Sequence, residues 1–407
     1  MLCCRPPRLQ PVLAGLALAG AVAAEQAGFS LPITRVLAQK PPGLLRLGQT
    51  VNTIPLTSSH DYGECFSFCF DTGSADLWVV SDCHDEDCIN VPQYVPSDSP
   101  TLTQTETPFK LDYLSGDVDG VLAFDTVKMG EYQVLNQIFG MVYQTSQLGL
   151  TSTATSGILG FCFPATAAIP GNAGATLLEN VLSPFDPPNR FFAFSLSRDP
   201  DANASFSIGT LIPECDPALL VRSLVVRTGA DYDYWKLPFW GMTVNGQPFQ
   251  ISSSRVPGAH TPIAVCDSGT TLLLGPTADV DAIYALFGSA ARNDPTNGYQ
   301  LRCTFGPLIS VVLGDDPTEY PLHPLDIAWG EGADDGWCTG GIQANDNVNS
   351  GDWLFGDVFL RNVCIVHYTD PPAIALCNRT DPDAALAEFR AERGPDILPR
   401  TLNFLKS

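Results

Sequence analysis

Short runs rich in Val, Ile, Phe, Tyr and Thr, broken by Gly, Pro, Asn and Asp, dominate the chain. Such runs read as strands separated by turns. The segment Cys65-Phe66-Ser67-Phe68-Cys69-Phe70 alternates with period two. That puts Phe66, Phe68 and Phe70 on one face and Cys65 and Cys69 on the other. Helical periodicity is scarce. It predicts a helix over Thr277 to Arg292, with Val280, Ile283, Tyr284 and Phe287 at spacings of three and four and Thr277 as N-cap. A second, shorter and more polar helix is predicted over Ala384 to Arg393. Among 407 residues, 35 Gly and 34 Pro supply the turns that many short strands require. The predicted class is mainly β.

The pattern also repeats. Phe70-Asp71-Thr72-Gly73-Ser74 recurs as Cys266-Asp267-Ser268-Gly269-Thr270. Each copy runs on into apolar residues, Leu77-Trp78-Val79-Val80 and Leu272-Leu273-Leu274. Ile158-Leu159-Gly160 ends 89 residues after Asp71, and Leu354-Phe355-Gly356 ends 89 after Asp267, so both elements are displaced by 196 residues. A lone Asp-x-Gly often caps a turn and means little. Two copies in strand context, each with the same partner at the same distance, imply two lobes of similar fold. Each lobe then contributes one Asp to a shared cleft.

Composition narrows the class further. The length suggests two or three domains. Apolar residues at 45% and charged residues at 16% exclude wholesale disorder. The count of 21 basic against 44 acidic residues leaves a net charge of −23. A field of that sign repels phosphate backbones and anionic lipid, so no nucleic-acid partner is expected. Charge alone is compatible with simple solubility or with an acidic habitat, where carboxylates are neutralised.

At the N-terminus, Arg5 and Arg8 precede an apolar run from Pro11 to Ala24 that contains Ala21-Val22-Ala23. This reads as a cleaved signal peptide and is too short for a membrane span. No membrane anchor is expected. Of 13 cysteines, Cys3 and Cys4 leave with the signal, and the remaining odd number leaves at least one thiol free or paired between chains. Asn203-Ala-Ser and Asn378-Arg-Thr are candidate glycosylation sites in a secreted chain. The five His lie far apart and form no metal-ligand pattern, so no metal is expected.

Two carboxyl groups about 3 Å apart cannot both ionise, a behaviour known from such pairs rather than derived from this chain. One then acts as base and the other as acid, and a water held between them can attack a carbonyl with no cofactor. Gly73 and Gly269 allow backbone amides to approach the carboxylates. Thr72 and Ser268 can bond across to the opposite lobe. Ser74 and Thr270 can each bond the outer oxygen of their own lobe's Asp.

These residues resemble a known family. Phe70-Asp71-Thr72-Gly73-Ser74-Ala75-Asp76-Leu77-Trp78-Val79 and Val265-Cys266-Asp267-Ser268-Gly269-Thr270 look like the two active-site signatures of pepsin-like aspartic endopeptidases. Tyr113-Leu114-Ser115-Gly116, followed by Gly120, resembles the flap hairpin that closes over substrate. Further matches are Asp125 to Gly130, Gln137 to Gly140, Gly157 to Phe161, Tyr234-Trp235 and Leu354 to Arg361. The resemblance spans roughly residues 49 to 377.

It implies a bilobal pepsin-like fold, with two pseudo-twofold-related β lobes around a central cleft. It implies hydrolysis of protein or peptide substrates at acidic pH by a water between catalytic Asp71 and Asp267. Apolar residues are expected on both sides of the cut. Thr72, Gly73, Ser74, Ser268, Gly269 and Thr270 would support the site. Tyr113 would cover the scissile bond with its phenol held by the Trp78 indole, where an ordinary aromatic core pair is the plainer alternative. The amides of Leu114 and Ser115 would bind the substrate backbone. Cys83 and Cys88 match a small disulfide loop of the family, and Cys303 and Cys338 match a second bridge. Cys65, Cys69, Cys162, Cys215, Cys266, Cys364 and Cys377 have no assigned partner. Cys65 and Cys69, i and i+4 on one strand and roughly 13 Å apart, are too distant to pair. Cys266 adjoins Asp267 but has no His to activate it, so it is not expected to be a nucleophile.

The expected organisation is a signal peptide at 1–23 and a short leader or vestigial prosegment at 24–48. An N-terminal lobe follows at 49–212, a C-terminal lobe at 213–377 and a tail at 378–407. A monomer that is secreted, or delivered to an acidic vacuolar compartment, is expected. The chain departs from the family pattern in places. Leu114 stands where the flap usually has Gly, and its Cβ restricts φ and narrows the cleft. Thr57 to Gly63 replaces a Gly-Thr-Pro-Pro turn, and the leader is short and weakly basic. A catalytically weak pepsin-like binding or inhibitor protein, which holds a peptide, a glycan or a partner enzyme, is the alternative. A two-carboxylate glycosidase is disfavoured, because its acids seldom sit in two equivalent loops.

Overall fold

Period-two segments become strands in the computed structural model of the chain, which describes residues 28–37, 50–57, 65–130, 132–199, 204–329, 336–348 and 350–395. The expectations for the signal peptide, for the turn from Ser58 to Gly63 and for Asn203 lie outside these residues. The first half contributes β1 (Phe29–Leu37), β2 (Thr50–Thr57), β3 (Cys65–Asp71) and β4 (Leu77–Val80). A long meander follows, β5 (Thr103–Asp112), β6 (Asp117–Met129) and β7 (Tyr132–Ser146). Then come β8 (Gly157–Gly160), β9 (Phe191–Ser195), β10 (Ala204–Ile208), β11 (Val221–Leu224) and β12 (Lys236–Val244). The chain is mainly β and bilobal, with one sheet of 13 strands and others of eight and four.

The internal repeat is repeated in the pairing. β3 runs parallel to β8, with Phe70 opposite Leu159, and strand Ile263–Cys266 runs parallel to Trp353–Phe355, with Cys266 opposite Phe355. β4 then pairs antiparallel with β8, and Leu273–Gly275 does the same with Trp353–Phe355. The same local order of strands therefore presents Asp71 and Asp267 at equivalent ends.

The apolar face of β3 does what its alternation predicts. Phe66, Phe68 and Phe70 are all buried. Phe70 meets Phe161, Phe194 and Phe206 edge to face at 5.4, 5.3 and 5.1 Å. Such contacts add about 0.5–1.5 kcal/mol each beyond area burial. Trp235, from the second half, donates its indole N–H to the Phe161 carbonyl at 2.9 Å. The core beneath the two Asp strands is thus shared by both halves.

The observed boundaries differ from the sequence expectations in four places. Residues 29–37, expected as leader, form β1, which pairs with β10 from Phe29↔Ile208 onward and with β2. Ile33 is buried there, which is why the segment joins the sheet. The lobe boundary at 212/213 is not a sheet boundary. β11 and the strands Val363–Thr369 and Pro372–Asn378 extend the large sheet through the pairing of Val363–Thr369 with β9. The helix expected to Arg292 spans only Thr277–Ala285, and Gly288 at φ 55° turns the chain into a strand at Ala291–Asp294. Thr277 is its first residue rather than its cap, and its hydroxyl donates to Asp346 at 2.6 Å. The tail helix begins earlier than expected, at Pro382, because the Asp381 side chain accepts from the Ala384 amide. It is docked on the second lobe through buried Phe389.

His367 lies in the shared core at 0% exposure. Its ring stacks on Phe192 at 4.5 Å and on Phe194 at 5.5 Å, and it meets the edge of Trp235 at 4.6 Å. Among the described residues, neither ring nitrogen has a hydrogen-bond partner. Burial pushes its pKa well below the usual value, so the ring is held neutral. The unfolded chain takes up a proton below about pH 6.5 and the folded chain does not. The contribution of this ring is therefore complete above that pH. It is lost as pH falls, by up to about 1.4 kcal/mol per pH unit. Replacing His367 by Leu is expected to reduce the fall in Tm between pH 7 and pH 5, measured by thermal melts of both proteins. An identical fall in both would contradict this.

Candidate active site

Asp71 ends β3, and Thr72 to Ser74 form the turn that follows. Asp267 follows the strand Ile263–Cys266 in the same way. The second apolar-apolar-Gly element explains itself here. Gly160 and Gly356 donate their amides to the carbonyls of Asp76 and Leu272, at 3.0 and 3.2 Å. A Cβ on either would collide with the backbone of the Asp loop beside it.

The two loops are joined crosswise. The Thr72 amide donates to Ser268 Oγ at 3.0 Å, and the Ser268 amide donates to Thr72 Oγ1 at 2.9 Å. The hydroxyls donate onward, Thr72 to the Cys266 carbonyl at 3.0 Å and Ser268 to the Phe70 carbonyl at 2.9 Å. All four groups are buried, so every bond replaces one that water would otherwise make.

Each carboxyl is held identically within its own lobe. Gly73 N–H donates to Asp71 Oδ1 at 2.7 Å, and Ser74 Oγ donates to Oδ2 at 2.5 Å. Gly269 N–H donates to Asp267 Oδ1 at 2.9 Å, and Thr270 Oγ1 donates to Oδ2 at 2.6 Å. The glycines also face the opposite carboxyl. A Cβ on Gly73 would lie 2.5 Å from Asp267 Oδ1, and one on Gly269 would strike Asp71. Asp71 and Asp267 are 6% and 8% exposed. Burial first, and then the Asp267 carboxyl, raises the Asp71 pKa far above the usual carboxylate range, while the Ser74 and Gly73 hydrogen bonds pull the other way. The pair therefore retains a proton where isolated carboxyls would have lost it.

The hairpin of β5 and β6 carries Tyr113 to Gly116 at its tip, closed by the Tyr113 amide donating to the Gly116 carbonyl at 2.7 Å. Trp78 Nε1 donates to the Tyr113 phenol oxygen at 2.7 Å. Burial first, and then the Asp71 carboxyl, push the phenol pKa well up, so the phenol stays protonated. Trp78, Phe109, Leu111, Tyr113, Leu148 and Ile158 belong to one apolar cluster beneath it. Leu114 and Ser115 are exposed at the tip.

Three disulfides occur among the described residues. Cys83–Cys88 and Cys303–Cys338 match the expected pairs, and Cys215–Cys364 joins two cysteines left unassigned. Cys69, Cys162, Cys266 and Cys377 are thiols. Burial, then Asp267, pushes the Cys266 thiol up to about 12, so it is no nucleophile. Asn378 is exposed, with its side chain bonded to the Thr380 backbone.

Two residues near the carboxyl pair carry no site role in the sequence pattern. Cys69 lies two residues before Asp71 on the same strand face and is partly exposed. The period-two count that separated Cys69 from Phe70 already placed it there. Tyr234 is half-buried and feels the charges of both Asp267 and Asp71. No local signal distinguished it from a core aromatic.

A mainly β, bilobal chain with an Asp loop from each half defines the class, and sequence comparison agrees. The profile of the family described as eukaryotic aspartyl protease matches residues 62–378. The chain belongs to that family. It is 29% identical to pepsin A of Bos taurus over 301 residues, which cover 73% of this chain and 76% of the relative. It is 30% identical to pepsin A of Sus scrofa over 301 residues, covering 73% of each. It is 29% identical to major aspartyl peptidase 1 of Cryptococcus neoformans var. grubii over 329 residues, 76% of this chain and 65% of that one. This kinship supports an aspartic endopeptidase activity in general.

The crosswise bonds carry a testable cost. Thr72→Ala removes one donor and one acceptor and leaves the buried Ser268 amide without its partner. A loss of about 1–3 kcal/mol is expected, read as a lower Tm, with Thr72→Ser recovering most of it. A Thr72→Ala protein as stable as the parent would refute the role of the crosswise bonds.

Proposed function

We propose that this chain is an acid-acting aspartic endopeptidase in which Asp71 and Asp267 activate a water against a peptide carbonyl. The raised pKa of Asp71 beside Asp267, within mirrored hydrogen-bond sets, is the observation that carries the reading. In the working state the pair holds one proton, on Asp71. The ionised Asp267 takes a proton from the water, whose oxygen bonds to the carbonyl carbon. Asp71 passes its proton to the carbonyl oxygen. On collapse one hydroxyl of the tetrahedral species returns its proton to Asp71 as the C=O bond re-forms, the C–N bond breaks, and the amine leaves with the proton held by Asp267. Thr72, Gly73, Ser74, Ser268, Gly269 and Thr270 keep the carboxyls in place. Tyr113, held by Trp78, covers the scissile bond, and the amides of Leu114 and Ser115 bind the peptide backbone.

The apolar cluster of Leu111, Tyr113, Leu148 and Ile158 beside the hairpin supports a preference for apolar residues at the cut. Residues 1–23 are a signal peptide that routes the chain to secretion or an acidic vacuole. Three disulfides among the described residues favour such an oxidising route. Asn203 and Asn378 are glycan acceptors in that setting, and the protein acts as a monomer. No helix among the described residues is long and apolar enough to cross a membrane.

Incubation with a denatured protein near pH 3–5 tests the reading. Cleavage is expected, with inhibition by a statine-type transition-state mimic and a loss of about 10³-fold or more in Asp71→Asn. Binding of the mimic without cleavage would favour a non-catalytic peptide-binding protein instead. The pH profile adds a sharper check. The alkaline limb of kcat/KM reports deprotonation of Asp71. The Ser74 hydroxyl lowers the Asp71 pKa, so Ser74→Ala is expected to move the alkaline limb to higher pH. A limb that stays put or moves down would count against Asp71 as the proton carrier.

A further inference from the structure

Four thiols and three bridges occur among the described residues, and one of those thiols, Cys377, shares an apolar cluster with a bridge. It packs in one cluster with Cys215, Cys364, Ile212, Val366 and Ala375. Cys215 and Cys364 are joined, with Cα atoms 5.4 Å apart. Cys364 lies on the strand Val363–Thr369 and Cys377 on the strand Pro372–Asn378, directly opposite it in the antiparallel ladder. Directly opposed residues point to the same face of a sheet, with Cα atoms about 4.5–5.5 Å apart. That separation falls inside the range of about 4.4–6.8 Å that a disulfide spans. The Asp216 amide, next to Cys215, faces the Cys377 sulfur. Cys364 therefore has two cysteines within bridging reach, and Cys377 is the one left over. All three are buried, which shields them from outside thiols and favours reaction among themselves.

We propose that Cys215, Cys364 and Cys377 form a thiol–disulfide exchange site, in which the bridge passes from Cys215–Cys364 to Cys364–Cys377. The Cys377 thiol gives up its proton and its sulfur attacks Cys364 Sγ. The new S–S bond forms as the Cys215–Cys364 bond breaks, and Cys215 leaves as a thiolate that takes up a proton. The step is an isomerisation, with no oxidant or reductant consumed. It changes what the bridge restrains. Cys215 stands in the connector from β10 to β11, and its bridge fastens that connector to a strand paired with β9 in the large sheet. The alternative bridge joins two strands that are already paired, and the connector loses its covalent anchor.

The attacking species is the thiolate. Burial raises the Cys377 pKa, the Asp216 amide and Arg379 oppose the rise, and the Asp216 carboxyl adds to it. Tyr320 also feels the Cys377 charge, and Arg222 and Tyr368 lie further along the same sheet face. Below a thiol's pKa the thiolate fraction falls about tenfold per pH unit. The bridge pattern is therefore fixed in acid and exchanges on the alkaline side of neutrality. None of this depends on the peptidase reading of the Asp pair.

The test maps the bridges of the full chain after incubation without added thiol at about pH 5 and about pH 8, where the thiolate fractions differ about 1000-fold. Samples are quenched in acid, free thiols are blocked in acidic denaturant, and peptides are identified by mass spectrometry without reduction. Only Cys215–Cys364 with a blocked Cys377 is expected at the lower pH. At the higher pH a growing share of Cys364–Cys377 with a blocked Cys215 is expected, and Cys377→Ser is expected to keep Cys215–Cys364 at both. A melt at the higher pH establishes that the chain is folded during the exchange. Cys215→Ser treated with oxidised glutathione is expected to form Cys364–Cys377, with release of reduced glutathione. A parent that keeps Cys215–Cys364 and a free Cys377 throughout at the higher pH overturns the proposal, whether or not Cys215→Ser folds. So does a folded Cys215→Ser protein in which Cys364 and Cys377 never join, or a parent bridge Cys215–Cys377 that leaves Cys364 free.

Discussion

Two carboxyl groups buried against each other are the constraint on which the remaining structure depends. Neither can be placed in a low-dielectric site without hydrogen bonds, and both cannot be charged there at once. Each lobe satisfies its own carboxyl with an amide and a hydroxyl. Neither lobe seals its own site. Gly73 closes on Asp267 and Gly269 on Asp71, so each carboxyl is covered by the opposite loop. The pair exists only when the halves are docked, and the Thr72–Ser268 bonds and the shared aromatic core dock them. The 196-residue repeat therefore describes two incomplete halves rather than two independent sites.

Much of this was legible in the sequence, because its signals are short and local. The Asp loops, the Gly elements 89 residues on, the Tyr113 hairpin and the small Cys83–Cys88 loop are patterns of a few residues each. What was not legible depends on partners far along the chain. Phe29 became a strand residue because Ile208 lies opposite it. Cys215 and Cys364 are 149 residues apart and carry no local mark of pairing. The helix from Thr277 was read too long because apolar spacing continued to Phe287, while Gly288 one residue later ended it. Periodicity reports which face is apolar, not where the backbone can no longer turn.

Two trends in the chain oppose each other as pH falls. With 44 acidic residues against 21 basic, protonation of carboxylates relieves self-repulsion. The raised pKa of Asp71 likewise keeps that carboxyl protonated on the acid side of neutrality. His367 works in the other direction. Among the described residues it has no hydrogen-bond partner that could stabilise a charged ring, and Phe192, Phe194 and Trp235 pack against it. The surface and the carboxyl pair thus favour acid, while one core residue limits how far acidification can go before the fold loses margin.

The hairpin separates the two kinds of information the site must hold. Trp78 Nε1 donates to the Tyr113 phenol at 2.7 Å and ties the hairpin to the apolar cluster beneath it. That bond does not involve the side chain at position 114. The tip can therefore exchange one residue for another without breaking that bond. An exposed Leu contributes little to the free protein, since its apolar area remains in water. Whatever it contributes appears only on binding, when that area is covered.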